Sequence, residues 1–363
     1  MKRIFAMLFV LCLLLCACGG QPEQTEVPTT VATTAATTEA TTEATTEATT
    51  VPEIYQNPLN GEVLDAPYTG RPAAVVINNL KDALPHYGVS QADFYYEVET
   101  EGGITRCLMI FSDPTKAGIV GPVRSSRTFF NSIAVSYDAP IFHCGGSVRG
   151  RNAGYEDSGE KIQNWMHVDQ MSKGKYYYRD EDRYNKYGYN WEHTLFTKGE
   201  KIAAAMTDLG YTSADEQDYG LQFRENVQLS GSAASKVIIS FSWDKTSTFT
   251  YDAEAGVYKM SQYGKDYVDA GNDTRIAFEN VIALYTKQWS RHDGEYSRSY
   301  YTLEGKGDGY LAIHGKITPI KWSRESLEKP FVYTYEDGTP VTLNMGKTYV
   351  AVTSVDSDAI VYE

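Results

Sequence analysis

Apolar and polar positions alternate along this chain in three different ways. Behind Lys2 and Arg3, residues 4–17 form one unbroken apolar run of 14 residues. That is the length of a signal-peptide core and short for a comfortable membrane span. A long apolar-poor stretch follows, and from residue 57 the pattern becomes that of a folded body. RPAAVVINN (71–79) is a short β-rich run. ADFYYEVE (92–99) alternates, with Phe94, Tyr96 and Val98 on one face and Tyr95, Glu97 and Glu99 on the other. ITRCLMIF (104–111) is nearly all apolar and predicts a central strand. Phe129, Phe130, Ile133, Ala134 and Tyr137 keep helical spacing, which predicts an amphipathic helix over roughly 124–137. APIFHC (139–144) returns as a strand, and KGEKIAAAMTDLG (198–210) predicts a second helix stopped by Gly210.

From about residue 220 the helical period disappears. KVIISFSW, STFTYD, VIALYTK, YLAIHG, ITPIKWS and TYVAVTS are short runs divided by Gly, Asp, Asn or Pro, the signature of an all-β region. The expected organisation is therefore a signal over 1–18 and a tether over 19–56. An α/β (α+β) domain over 57–215 and an all-β, sandwich or barrel-like domain over 220–363 follow. The polar, Tyr-rich stretch 172–193 is too long for a plain connection and predicts either a functional loop or an ordered cover on the first domain.

The signal ends in LCAC (15–18), with Gly19 and Gly20 behind it, and looks like the lipobox of bacterial lipoproteins. In that reading the Cys18 thiol becomes the acylated first residue, carrying fatty chains such as palmitate. A diacylglyceryl cysteine supplies the two chains that stable anchoring requires. The expected address is the extracytoplasmic face of the membrane, with the lipid anchor as the contact to it. TTEATTEATTEA (37–48) is a tandem repeat within the tether. Thr, Ala, Glu and Pro without large apolar residues bury too little surface to offset ordering entropy, so no fixed structure is expected there.

Charge narrows the function classes. Losing Lys2 and Arg3 leaves 31 basic against 47 acidic residues, and six of the acids lie in the tether, so the body carries about −10. A body this acidic does not bind nucleic acid through bulk charge. Of five cysteines only Cys107 and Cys144 remain in it, both in apolar contexts that favour free, buried thiols over a disulfide framework.

Basic residues gain interest against that background. Arg106 sits inside the apolar strand. With a Glu101-Gly102 turn, Glu97 would oppose it; with a Gly102-Gly103 turn, Glu99 would. An unpaired charge there costs several kcal/mol, roughly, so one of these ion pairs is expected; an odd-length loop would break this reasoning. GPVRSSR puts Arg124 and Arg127 at the start of the predicted helix with Ser125 beside them. Cations at a helix N-terminus run against its dipole, which points to an external anion or to Glu97, Glu99 or Glu101. HCGGS ends the next strand in a Gly145-Gly146 turn before Ser147, and such turns form anion-accepting concavities. Arg106, Arg124, Ser125, Arg127, Gly145, Gly146 and Ser147 thus make a candidate anion site, with His143 and His193 as candidate catalytic groups.

RPAAVVINN, VSQADFYYEVETEGGITRCLMIF, GPVRSSRTFF and HCGGS resemble the first domain of the YerB-like lipoproteins, and ITPIKWSRES through DGTPVTLNMGKTYVAV resembles their β-rich second domain. The resemblance implies a signal or lipobox, two domains of unknown function, and no established reaction or cofactor. It also implies a His-Asn pair before the second helix, where this chain has His193 followed by Thr194.

Other chemistries lack their signatures. There is no G-x-S-x-G elbow, no HExxH and no CxxC, and the six histidines are scattered. No metal or cofactor is expected. Two readings remain: a tethered binding or assembly module for an anionic envelope ligand or envelope protein, and an envelope hydrolase using His143, Ser147 and His193 with Glu101.

Overall fold

In the computed structural model, residues 54–147, 165–212, 217–293 and 296–363 are described. The signal, Cys18 and nearly all of the tether lie outside them.

The first-half elements are β1 (Ala73–Asn78), β2 (Phe94–Glu99), β3 (Thr105–Phe111), α1 (Thr128–Ser136), β4 (Ile141–His143), β5 (His167–Asp169), β6 (Leu195–Lys198) and α2 (Gly199–Asp208). The second half contributes β7 (Lys236–Ser240), β8 (Thr246–Asp252), β9 (Val257–Gln262), β10 (Asn280–Thr286), β11 (Gln288–Asp293) and β12 (Tyr296–Tyr301). It ends with β13 (Gly305–Ile313), β14 (Lys316–Arg324), β15 (Thr348–Ser354) and β16 (Ile360–Tyr362). The first half is thus mixed α/β with few helices, and the second is mostly strands.

One mixed sheet runs through both halves in the order β14-β13-β10-β15-β2-β3-β1-β4-β5, with two short strands added at the β14 side. The join is β15 on β2, parallel, with Thr348 opposite Phe94 and Val352 opposite Val98. A separate antiparallel sheet holds β9-β8-β7-β16.

Both faces of the large sheet are covered, which is why β1 and β3 are buried at every position. Phe94, Tyr96, Val98, Leu108 and Ile110 pack with Phe129, Phe130, Ile133 and Ala134 of α1. On the other face Tyr95, Cys107 and Met109 share a cluster with Ile202 and Met206 of α2 and with Val237, Phe249 and Met260 of the second sheet. The alternation in β2 therefore separates two cores rather than a core from solvent.

The helix predicted over 124–137 is shorter. Arg127 is its N-cap, extended at φ −134°, and Arg124 to Arg127 precede it as irregular chain. Nor is it amphipathic: every residue from Phe129 to Ser136 is buried. The stretch 172–193 is ordered. Arg183 is buried within it, stacked over Tyr189 and Phe196, and donates to the Ala83 and Pro85 carbonyls. Cys107 and Cys144 are both free thiols, the first buried and the second half-buried.

Candidate functional site

β1 and β4 run parallel and pair at Ala74–Ile141 and Val75–Phe142, then diverge. The chain at 122–126 enters the wedge between them. Asn78 N donates to the Pro122 carbonyl and Arg124 N to Val76. On the other side Cys144 N donates to Arg124 and Ser126 N to Gly145. A crevice at the carboxyl ends of parallel strands is where open α/β sheets place ligands. Here it is filled by the backbone that carries Arg124, Ser125 and Arg127.

Arg106 reaches this segment from β3. The β2–β3 loop is odd in length, centred on Gly102, so Val98 stands opposite Arg106, Glu97 opposite Cys107 and Glu99 opposite Thr105. Gly102 and Gly103 both take positive φ, 75° and 74°, conformations that glycine adopts without a Cβ penalty. The expected cross-strand ion pair of Arg106 with Glu97 or Glu99 is therefore absent. Arg106 is instead 6 % exposed, donates through Nη1 to the Ser125 carbonyl at 2.8 Å, and leaves Nε without a partner. Among the described residues no carboxylate lies within ion-pair distance of it. Burial, then the neighbouring Arg127 and Arg124, push its pKa well below the ordinary guanidinium range. The shift expresses what an uncompensated cation costs there.

Glu97 faces the other core. It is wholly buried and accepts from Thr105 Oγ1 at 2.6 Å, Asn79 Nδ2, Ser247 Oγ and Tyr349 Oη at 2.8 Å each, with Lys245 Nζ at 2.9 Å. Burial alone would raise its pKa, but Lys245 and these hydrogen bonds bring it below the usual value. Glu99 is half-buried, and burial raises its pKa against the opposing hydrogen bond of Gln288.

Glu101 is the carboxylate that meets the arginines. Arg127 grips it with Nε and Nη2, both at 2.7 Å, and Arg298 of β12 approaches at 3.2 Å. Arg124 pairs with Glu192 at 2.5 Å and keeps an unpartnered Nε, as does Arg298. Among the described residues, four arginines thus face two carboxylates. Sequence reasoning missed Arg298 and Glu192, because both arrive through long-range packing that leaves no local signal.

The Gly145-Gly146 turn is engaged from within: Gly145 N donates to Asp169 Oδ1 at 2.8 Å. His143 uses both ring nitrogens, one with the Gly145 carbonyl at 2.8 Å and the other with His167 at 3.1 Å. Burial lowers its pKa against the attraction of Asp169. His193 is buried and meets Asn78 Nδ2 at 2.9 Å. Ser147 is buried beside the turn, and its position gives His143 no contact to it: the ring nitrogens go to Gly145 and His167.

Comparison with known proteins agrees with this architecture. The N-terminal domain described as protein of unknown function DUF3048 matches residues 59–212, and its C-terminal domain matches residues 237–350. The protein named "Putative lipoprotein YerB" of Bacillus subtilis (strain 168) is 27 % identical over 312 residues, covering 81 % of this chain and 88 % of the relative. The crystal structure of the YerB protein from Bacillus subtilis aligns with a TM-score of 0.70 at 24 % identity, over 85 % of this chain and 99 % of that one. That likeness establishes the fold.

Proposed function

This chain belongs to the DUF3048 family, and from that premise we propose that it is a lipid-anchored envelope protein whose body binds an anionic group at the arginine cluster. Cys18 carries the anchor, and the tether lets the body work away from the membrane surface on the extracytoplasmic side. The lipoprotein name of its Bacillus subtilis relative supports this address. The ligand is a phosphate or carboxylate of an envelope polymer or protein.

The observation that carries the reading is Arg106. It is buried, still has a donor to give, and has Arg127, Arg124 and Arg298 as electrostatic neighbours with Glu101 as an opposing charge. An anion received there would relieve repulsion that the fold otherwise bears. Charge-assisted hydrogen bonds to guanidinium are among the strong ones.

The test is thermal unfolding of the full-length protein, solubilised in a sugar-free detergent, with inorganic phosphate or pyrophosphate. Binding at about 100 times Kd stabilises by about 2.7 kcal/mol, a rise of roughly 4 °C for a body of this size. Arg106→Gln should lose that rise. Phosphate also stabilises proteins by exclusion from their surface, so an equal rise in Arg106→Gln, or none in either protein, would overturn the reading.

A further inference from the structure

One residue beyond Arg127, a separate cavity of about 300 Å³ opens between α1 and the β11–β12 hairpin. Its walls include Phe129, Tyr300, Tyr301 and Trp289, with Ser132 and Glu304 as polar members. Trp289 stacks on Tyr300, centroids 5.9 Å apart and planes 21° from parallel, yet remains 37 % exposed. Phe129 meets Tyr301 edge to face at 5.2 Å. Tyr301 is fixed in turn by donating its hydroxyl to the Glu99 carbonyl at 3.1 Å. The aromatic walls are therefore held in place before any ligand arrives.

The polar groups are complementary to each other. Ser132 is 5 % exposed, and its Oγ accepts from Arg324 Nη1 at 2.8 Å. No acceptor for its own proton is found among the described residues, so it offers a donor with a guanidinium behind it. Glu304 is exposed, and its carboxylate has neither hydrogen bond nor ion pair among the described residues, so it offers an acceptor. No lysine or arginine is among the described residues that line the cavity, which argues against an anion.

We infer that this cavity is a saccharide subsite, taking one pyranose ring of a neutral glycan. A sugar ring presents C–H faces that pack on aromatic rings and hydroxyls that each donate and accept. That is the combination of an exposed indole, a free donor and a free acceptor at this site. A volume near 300 Å³ is at the small end of ligand sites and suits one ring. This inference does not depend on the arginine cluster.

The experiment is titration of the full-length protein, in a sugar-free detergent, with tri-N-acetylchitotriose and with maltotriose, followed by tryptophan fluorescence. Saturable binding of at least one sugar is expected with Kd of roughly 0.1–1 mM. Trp289→Ala and Glu304→Gln, both surface changes, should each weaken it about tenfold, whereas Arg106→Gln should leave it unchanged. Absence of binding by either sugar up to roughly 10 mM would overturn the inference. So would equal affinity in both cavity variants. A flat aromatic cation, benzylamine, is the competing probe: its binding through Trp289 and Glu304 in place of the sugars would equally overturn it. None of these outcomes bears on phosphate binding, which reads the arginines separately.

Discussion

Arg127 and Glu101 form a two-pronged pair, both hydrogen bonds at 2.7 Å, in which the arginine is almost wholly buried and the carboxylate keeps a fifth of its surface. Arg298 contacts the same carboxylate from β12. One acid side chain from the β2–β3 loop thus joins the start of α1 to a hairpin of the second half.

Glu101→Gln should therefore be costly. Removing one partner of a buried charge pair leaves the other uncompensated, at about 3–5 kcal/mol, and the partial exposure here puts the expected loss at the lower end. Urea unfolding measures it. Added phosphate should restore part of the loss, because an external anion would replace the missing charge.

The same carboxylate sets a pH window. Burial works to raise its pKa, but the Arg127 hydrogen bond and the charges of Arg127, Arg106 and Arg298 bring it down from 4.5 to about 2. A depressed folded-state pKa gives stability that is fully present above 4.5 and lost as pH falls toward about 2. Stability of the native protein minus that of Glu101→Gln, followed by denaturant titration across this interval, should shrink with acidification. A constant difference would contradict the assignment.

Lys245 and Glu97 make a buried pair between the halves, 1 % and 0 % exposed. Lys245→Met alone should cost about 3–5 kcal/mol by stranding Glu97. Lys245→Met combined with Glu97→Gln should recover much of that, since neither side then buries a lone charge. A double-mutant cycle by thermal or urea unfolding gives the coupling.

Arg324 is 1 % exposed and has no carboxylate partner among the described residues; it donates to the carbonyls of Lys329, Leu303, Ser132 and Leu327 and to Ser132 Oγ. Burial pulls its pKa down to about 10 against the nearby tyrosines. Arg324→Met should cost about 3 kcal/mol or more by orphaning several carbonyls at once. Arg324→Lys should rescue little, because an ammonium cannot span that fan of acceptors. Equilibrium unfolding of both variants decides it.

The anchor has its own test. Cells expressing the full chain and fed labelled palmitate should incorporate it into this protein, and Cys18→Ser should abolish the label and free the protein from the membrane fraction. A labelled Cys18→Ser protein would remove the anchor assignment.

Periodicity was a good guide where one element decides the outcome. The two-faced pattern of β2, the apolar β3 and the capped α2 were legible because side-chain direction in a strand or helix follows from spacing alone. The register of β2 against β3 was not, since one residue more or less in the Gly102-Gly103 loop exchanges every opposing pair. Arg106 was recognisable as an anomaly, but its surroundings were not. Glu192 and Arg298 come to the cluster from distant parts of the chain, and Glu97 turned to a lysine that no local pattern links to it. The helix boundary failed for a related reason: Arg124 and Ser126 give backbone groups to Val76 of β1 and to Cys144 and Gly145 just beyond β4, and only Arg127 offers its carbonyl to the first helical turn.

The seam at which Thr348 meets Phe94 has a consequence for how the protein is made. A chain synthesised from its N-terminal end presents β2 long before β15 exists to lie beside it, so the middle of the sheet must wait with one strand unsatisfied. Pairings of such wide sequence separation form slowly, and an unpaired strand invites wrong partners meanwhile. Closure of the large sheet is therefore a late event for this molecule, one that waits for its last strands.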